Sequence, residues 1–242
     1  MKYIKKDFTT PVVQQYKQEL CKFLLDEISL SNPKNHEGLT GRKLYKDWIR
    51  PKIKIFRTDL KDQMYSEQGG ICCYCGLKIV KDKSGRKLSV EHVLPKCTHR
   101  ELVGEYKNLL LCCTEVDADA NDMGLVTNDS QLHHCGKSKD NKVLSCTPLQ
   151  PECESRYSYD AVGNVSGDNA DIEQDISILN LNCEFLKKRR KEALSILFDE
   201  NGALLSDKEL KEISHKIMQP NADGMFYEFC FVIKQVVDSF IG

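Results

Sequence analysis

Two cysteines at positions 72 and 75 constrain the fold of this chain more than any other feature. Two residues separate them and Gly76 follows, a spacing that lets two thiolates bind one tetrahedral ion from a tight turn. A redox-active pair is the main alternative. A thioredoxin-like pair begins a helix after a strand, whereas here the predicted helix precedes the cysteines. A zinc site is therefore favoured, and it needs two further ligands.

The missing ligands are expected downstream. Cys113 ends the apolar run "NLLLCC", and Cys135 lies in "HHCGKSK". The four-ligand requirement favours one set: Cys72, Cys75, Cys113 and Cys135. Cys112 could replace Cys113, and His133 or His134 could replace Cys135. We expect the unused member of the 112–113 pair to be buried as a small apolar residue.

The start of the chain and its apolar stretches indicate a reducing compartment, and this bears on the other cysteines. The start of the chain, "MKYIKKDFTT", lacks an apolar run of signal-peptide length, and no stretch is long enough to cross a membrane. We therefore expect a cytoplasmic protein with no membrane partner, in which metal binding or burial accounts for the thiols. The cysteines without paired spacing are predicted to be buried: Cys97, Cys146, Cys153, Cys183 and Cys230.

The charge of the chain is −1 in total but unevenly distributed. Residues 1–63 carry 14 Lys and Arg against 8 Asp and Glu, and residues 151–242 carry 10 against 17. A basic first part suits contact with phosphates, and an acidic last part suits docking to a basic partner. Two solvated surfaces would give the same pattern, so both interpretations stay open.

Apolar periodicity predicts a mainly helical chain that contains one small β unit. Apolar residues recur at helical spacing in these stretches: 11–28, 42–68 with a restart at Pro51, 175–200, 206–219 and 225–241. Ser206 and Glu209 form a capping box. The segments "ICCYCGLKIV" and "KLSVEHV" predict a hairpin within residues 71–93, and residues 121–141 predict a polar loop insertion. The fold class is therefore α+β.

Glu91 and His92 are the candidate reaction centre. A neutral imidazole can take a proton from water, and a neighbouring carboxylate suits a hard divalent cation. A histidine on a strand is more often structural, but this one follows a carboxylate and lies between the two predicted halves of the zinc site. Adjacent strand residues point to opposite faces. Pro95 ends the strand nearby, where the backbone can turn.

These residues resemble a known family. "CCYCG", "SVEHVLP" and "YKNLLLCC" resemble the HNH endonuclease superfamily, in which a zinc-braced ββα unit carries the catalytic histidine. A longer run, through "HHCGKSKDN", "YSYDAVGNV" and "ISILNLNCEFLKKRRKEAL", is similar to the HNH component of the Septu anti-phage defence system, which also occurs beside some retrons. The resemblance covers about residues 55–195. The cysteine and Glu-His motifs are its most specific part.

The resemblance implies a role for each site residue. His92 would be the general base, Glu91 would hold a catalytic Mg²⁺ or Mn²⁺, and Asn108 would brace the loop that carries the histidine. Asn108 could equally be a helix cap. The family's third position is an asparagine directly after the second cysteine pair, but here Gly136 follows Cys135. The candidates to replace that asparagine are, in order of preference, Asn141, His134 and Ser138.

The resemblance also implies domains and partners. Residues 1–62 form a basic helical region, residues 63–150 the HNH ββα-metal core with its zinc site, and residues 151–242 an acidic helical region. The expected function is phosphodiester hydrolysis in DNA or in RNA such as tRNA, as the effector of a complex with a Septu-type ATPase that has an ABC-like head. A retron reverse transcriptase with its RNA and DNA is a further possible partner. A non-catalytic zinc module that binds nucleic acid or protein is the alternative.

Overall fold

The computed structural model of the chain describes residues 1–24, 40–81, 88–113 and 133–241. The helices of these residues are α1 (Pro11–Phe23), α2 (Gly41–Lys43, a π-helical turn over Leu44–Ile49, then Arg50–Lys52), α3 (Asp59–Glu67), α4 (Gly136–Lys139), α5 (Cys153–Arg156), α6 (Ala170–Leu179), α7 (Glu184–Ala193), α8 (Asp207–Lys216) and α9 (Cys230–Ile241). Two antiparallel strand pairs accompany them, namely β1 (Ser89–His92) with β2 (Leu109–Cys112) and β3 (Tyr157–Tyr159) with β4 (Val165–Gly167). The α+β class is confirmed.

Local sequence signals account for several helix ends. The Thr10 side chain accepts a hydrogen bond from the N–H of Val13 and so starts α1. The predicted capping box of Ser206 and Glu209 is confirmed at the start of α8. The single helix predicted over residues 175–200 is wrong, because Asn180 adopts a left-handed conformation with φ 49° that ends α6 and separates it from α7.

The hairpin predicted within residues 71–93 is also wrong in its pairing. β1 pairs with β2, so that Glu91 lies opposite Leu110. Residues 71–78 instead fold back on themselves through an isolated bridge between Ile71 and Lys78. This turn requires a positive φ of 82° at residue 76, and glycine adopts that conformation readily because it has no Cβ atom. The segment 71–78 is thus a separate knuckle that packs beside the β1–β2 pair.

One hydrophobic core runs through all three predicted regions. It includes Val13 of α1, Leu111 of β2 and Phe185 of α7, each fully buried. The predicted domain boundaries therefore stay a prediction, since no separate cores mark them. In the described part of the chain, no helix is both long enough and apolar enough to cross a bilayer. The loop predicted over residues 121–141 lies outside the described residues up to position 132, and it is wrong at its end, where Gly136–Lys139 form α4.

The side chains of the basic run at residues 187–191 are only partly exposed. Arg190 is fully buried, and its guanidinium donates hydrogen bonds to the carbonyls of Gly163 and Leu181. Arg189 donates to both carboxylate oxygens of Glu228, at 2.9 and 3.1 Å. This run therefore joins α7 to neighbouring segments of the protein.

Candidate active site

The four predicted zinc ligands come together in one cluster, in which Cys113 is partly exposed and the other three cysteines are buried. The Sγ atoms of Cys72, Cys75, Cys113 and Cys135 all lie within 4.8 Å of one another. The Cys72–Cys135 and Cys75–Cys113 sulfur pairs are 3.8 and 3.9 Å apart. A tetrahedron with Zn–S bonds of about 2.3 Å has S–S edges of roughly 3.8 Å, so the arrangement fits a zinc ion.

The fold explains why these four cysteines meet. The knuckle supplies Cys72 and Cys75, while Cys113 lies directly after β2 and Cys135 directly before α4. Cys112, the neighbour of Cys113, is buried outside the cluster. Burial raises the pKa of the Cys135 thiol well above its usual range. A bound cation would supply the charge that lets buried thiolates form.

His134 packs against the cysteine cluster. Its Nε2 lies 3.4 Å from Sγ of Cys113, and its ring stacks on Phe185 with centroids 5.6 Å apart. The side chain is buried on the cluster side of α4. It does not line the cavity beside Glu91 and His92.

Glu91 is held in a buried polar network. The Tyr74 hydroxyl donates to Oε1 at 3.0 Å, and the Lys139 ammonium lies 3.0 Å from the same oxygen. Oε2 faces Gly136, where a side chain would begin only 2.6 Å away. Lys139 also donates to the backbone carbonyl of His92 at 3.0 Å. These contacts fix the carboxylate and leave one of its oxygens beside Gly136.

The hydrogen bonds of His92 define its tautomer. Nε2 lies 2.9 Å from the carbonyl oxygen of Val103, which can only accept, so Nε2 carries the hydrogen. Nδ1 is then the unprotonated nitrogen, 3.3 Å from the ammonium of Lys96. Burial, together with Lys96, lowers the pKa of His92 to about 3. The imidazole is therefore neutral at neutral pH, with Nδ1 as its proton acceptor.

Asn108 braces the loop that follows β1. Its Oδ1 accepts from the N–H of Leu94 at 2.7 Å, while its Nδ2 donates to the carbonyls of Leu94 and Leu102. The backbone carbonyl of Asn108 also accepts from Val93. Asn108 thus connects both sides of the loop from residue 93 to residue 107. The resemblance implies such a bracing contact for Asn108, and its part in catalysis stays a prediction.

Glu91 and His92 line one cavity of about 430 Å³. Asp140 and Asn141, directly after α4, also line it. The Asn141 amide donates to Asp140, and among the described residues its Oδ1 accepts no hydrogen bond. Glu91 and His92 therefore reach a shared space although they are adjacent on a strand.

The donor atoms around this cavity suit magnesium. Mg²⁺ is typically held by one or two carboxylates together with substrate phosphates, and Glu91 and Asn141 supply hard oxygens at an open cavity. Within the described residues, the cysteine cluster is the one preassembled group of three or more Cys, His, Asp or Glu ligand atoms. A magnesium site here would therefore be completed by substrate.

Helix α4 connects the cysteine cluster to the cavity. Cys135 precedes it, Gly136 and Lys139 contact Glu91, and Asp140 follows it. Both flanking residues have positive φ, 54° at Cys135 and 46° at Asp140. Such conformations are strained for residues other than glycine and are common at functional sites. Metal binding at Cys135 would therefore fix the residues that hold Glu91.

Several residues that hold the site in place carry no recognisable motif in the sequence. Tyr74 and Lys139 hold Glu91, and the Tyr45 ring packs edge-on against His92 with centroids 4.6 Å apart. Gln68 joins the knuckle to β2 through side-chain hydrogen bonds with the backbones of Ile71 and Leu111. No motif identifies these residues, because their roles depend on segments far apart in the sequence.

Cys97 corrects one prediction. The sequence predicts a buried thiol, but Cys97 is exposed and lines the cavity beside His92. It lies in the polar loop after Pro95, and Pro95, Lys96 and Cys97 all line the cavity. The prediction of burial is confirmed for the other four cysteines, namely Cys146, Cys153, Cys183 and Cys230.

A four-cysteine cluster that fits a zinc ion, beside a Glu-His strand end and a short helix, resembles the core of an HNH nuclease. The chain is similar to a protein named "Retron Vc95 putative HNH endonuclease" from Vibrio cholerae serotype O1 biovar El Tor, with 24% identity over 174 residues, 67% of this chain and 77% of the relative. No family model matches the chain. The resemblance to the HNH superfamily and to retron-associated nucleases is confirmed. Nuclease activity is supported at the level of this family.

Proposed function

We propose that the chain is a metal-dependent HNH endonuclease that hydrolyses phosphodiester bonds in nucleic acid, with DNA favoured and RNA such as tRNA as the alternative substrate. The observation that carries this proposal is the shared cavity of Glu91 and His92, in which Nδ1 of the neutral imidazole is the proton acceptor. A structural histidine would need no such cavity.

The chain's own residues account for the proton transfer. Nδ1 of His92 takes a proton from water as the water oxygen forms a bond to phosphorus and the bond to the leaving oxygen breaks. The Val103 carbonyl holds Nε2–H and so orients the ring. Lys96 donates to Nδ1 at 3.3 Å in this structure, so the proton transfer requires its ammonium to turn from Nδ1 to a phosphate oxygen. Asn108 keeps the loop in the shape that this geometry requires.

Two kinds of metal have distinct roles in this proposal. The four cysteines hold a structural Zn²⁺, and Glu91 with Asn141 holds Mg²⁺ or Mn²⁺. A bound Mg²⁺ or Mn²⁺ supplies positive charge that stabilises the transition state and the leaving oxygen. We rank Asn141 above His134 for the third position because Asn141 lines the cavity, whereas His134 contacts Cys113.

Substitution of His92 tests the catalytic role. His92→Ala should abolish cleavage of labelled DNA and RNA in the presence of Mg²⁺ or Mn²⁺, while the zinc content stays unchanged. His215→Ala is the matched control because His215 is an exposed histidine on α8. Cleavage that survives in His92→Ala would instead support the non-catalytic zinc module.

Zinc analysis of the purified protein tests the cysteine assignment. About one tightly bound zinc ion per chain is expected from a closed four-cysteine site. A metal-free protein with reactive thiols at Cys72 and Cys75 would support the redox alternative. The compartment follows from this chemistry, and we propose that the protein acts in the cytoplasm.

The proposed effector role requires a docking site for a Septu-type ATPase. A groove of about 990 Å³ lies between α7, α8 and residues 219–228. Its apolar lining includes Ile196, Ile213 and Phe226. Its charged lining is mainly acidic, because three cations, Lys78, Arg189 and Lys216, are outnumbered by five carboxylates, namely Glu192, Glu209, Glu212, Asp223 and Glu228. Charge complementarity favours a basic amphipathic segment of the ATPase as the occupant.

Charge reversal tests this docking site. Glu192→Lys with Glu212→Lys should prevent co-purification of the chain with the ATPase, because both carboxylates lie at the groove. Glu152→Lys with Glu200→Lys is the control, since both residues are exposed and neither lines the groove. Equal co-purification of the two variants would exclude this surface. A retron reverse transcriptase with its RNA and DNA can be tested in the same assay.

A further inference from the structure

Helix α2 carries a strip of exposed positive charge that begins at the candidate active site. The strip consists of Arg42, Lys43, Lys46, Arg50 and Lys52 on the helix and of Lys54 directly beyond its end, all exposed. Between residues 41 and 57, Asp47 is the one acidic residue. At about 1.5 Å per residue, the helix extends roughly 18 Å from the cavity.

The arrangement of these charges costs stability in the absence of a ligand. Arg42, Lys46 and Arg50 recur every four residues, so like charges are neighbours along the helix. Each such pair destabilises a helix by about 0.2–0.5 kcal/mol. A solvated helix face normally mixes charges of both signs. Asp47 on the same helix and Asp140, 3.9 Å from Arg42, offset only part of this charge, so the excess of cations indicates a polyanionic ligand.

The same helix contacts the reaction centre directly. Arg42 lines the cavity with Glu91 and His92. Tyr45 packs edge-on against His92, and the Lys96 ammonium lies 5.4 Å from the centre of the Tyr45 ring. Tyr45 belongs to the π-helical turn, a feature that is rare in proteins and frequent at functional sites. One end of the strip is thus built into the cavity wall.

We propose that α2 binds the sugar-phosphate backbone of the nucleic acid and leads it into the cavity that contains His92. This inference rests on the proposed nuclease function for the fate of the bound strand, but the binding itself does not require cleavage. The strip contacts phosphates and carries no base-reading pattern, so it should bind duplex DNA and RNA without sequence preference. An axial rise of 3.4 Å per nucleotide places about five phosphates of one strand along 18 Å.

The test measures binding by protein that carries His92→Ala, so that cleavage does not interfere. The strip variant combines Lys43→Gln, Lys46→Gln and Arg50→Gln. The control combines Lys191→Gln, Lys208→Gln and Lys211→Gln, which removes the same charge from exposed positions elsewhere. Fluorescence anisotropy with labelled duplex DNA and duplex RNA over a range of salt concentrations gives the affinity and its salt dependence.

The strip variant should bind nucleic acid at least about tenfold more weakly than the control. The slope of log affinity against log salt concentration should become smaller by about 2 to 3, because each lost phosphate contact removes about 0.9 from it. Equal affinity and slope in the two variants would overturn the inference, as would an absence of binding to both nucleic acids. The outcomes separate the two proposals. If binding depends on the strip but the unsubstituted chain does not cleave, the proposed nuclease function is wrong and the binding inference stands. If the chain cleaves and the strip variant cleaves equally well, the binding inference is wrong and the nuclease function stands.

Discussion

Gly136 occupies the position where the HNH pattern has an asparagine, and its neighbours explain why. A Cβ atom at residue 136 would lie 2.6 Å from Oε2 of Glu91 and 2.8 Å from Sγ of Cys112. Tyr74 and Lys139 hold the carboxylate in place, so Glu91 cannot move away at little cost. The glycine therefore makes room for Glu91.

Gly136→Asn, which restores the family residue, should impair the protein. We expect a loss of about 1–3 kcal/mol in the free energy of unfolding, because the new side chain overpacks a buried site, and cleavage should fall with it. Urea denaturation and a cleavage assay measure the two effects. Gly202→Asn is the control, since nothing lies within 4 Å of a side chain there and asparagine tolerates its positive φ. Higher activity in Gly136→Asn would show that residue 136 can contribute a metal ligand.

At the scale of elements, the end of β2 separates two adjacent cysteines. Cys112 is the last residue of the strand and packs beside Gly136, while Cys113 directly after it belongs to the cysteine cluster. Side chains of successive residues on a strand point to opposite faces. The same sequence motif thus supplies one thiol to the four-cysteine cluster and one thiol that packs outside it.

Cys113→Ser should therefore lose zinc, and Cys112→Ser should retain it. Loss of one of four ligands opens the site, whereas serine at position 112 leaves the four sulfur atoms in place. Metal analysis after dialysis against a chelator measures the difference, and the midpoint of thermal unfolding should fall further in Cys113→Ser. Zinc loss in Cys112→Ser alone would reverse the assignment.

The loop after β1 makes the cavity sensitive to thiol reagents. Cys97 is exposed at the cavity, so a bulky adduct on its sulfur should block substrate and abolish cleavage. Cys97→Ser should protect the activity, while Cys21→Ser should not, because Cys21 is exposed on α1 and does not line the cavity. Cleavage before and after alkylation of the zinc-loaded protein tests this. Equal inactivation of both variants would contradict the position of Cys97.

At the scale of the whole molecule, Arg190 connects segments that the sequence separates. Its guanidinium reaches the turn between β3 and β4 through Gly163 and the connection between α6 and α7 through Leu181. The Cys135 N–H donates to the carbonyl of Leu179 at the end of α6. The acidic helical region is thereby joined to the cysteine cluster.

Arg190→Ala should destabilise the protein by more than about 2 kcal/mol, because two buried carbonyls lose their donor and a cavity forms. Lys191→Ala, at the next position on α7 and exposed, should change stability by less than about 0.5 kcal/mol. Denaturant unfolding followed by circular dichroism gives both values. Similar midpoints for the two variants would contradict the structural role of Arg190.

The sequence by itself determined the features that depend on neighbouring residues. The spacing of Cys72 and Cys75, the adjacency of Glu91 and His92, and the capping box of α8 can be identified because each acts over a few residues. Asn108 could be matched to its position through the resemblance, and the structure gives it hydrogen bonds across the loop.

Only the tertiary structure decided which distant segments meet. It placed β2 beside β1, separated Cys113 from Cys112, and brought Lys139 to Glu91, 48 positions earlier in the chain. It also buried Arg190 within a run that looks like a charged surface. These outcomes depend on how the whole core packs, because long-range contacts and the burial of a charge are properties of the assembled interior and leave no local periodicity.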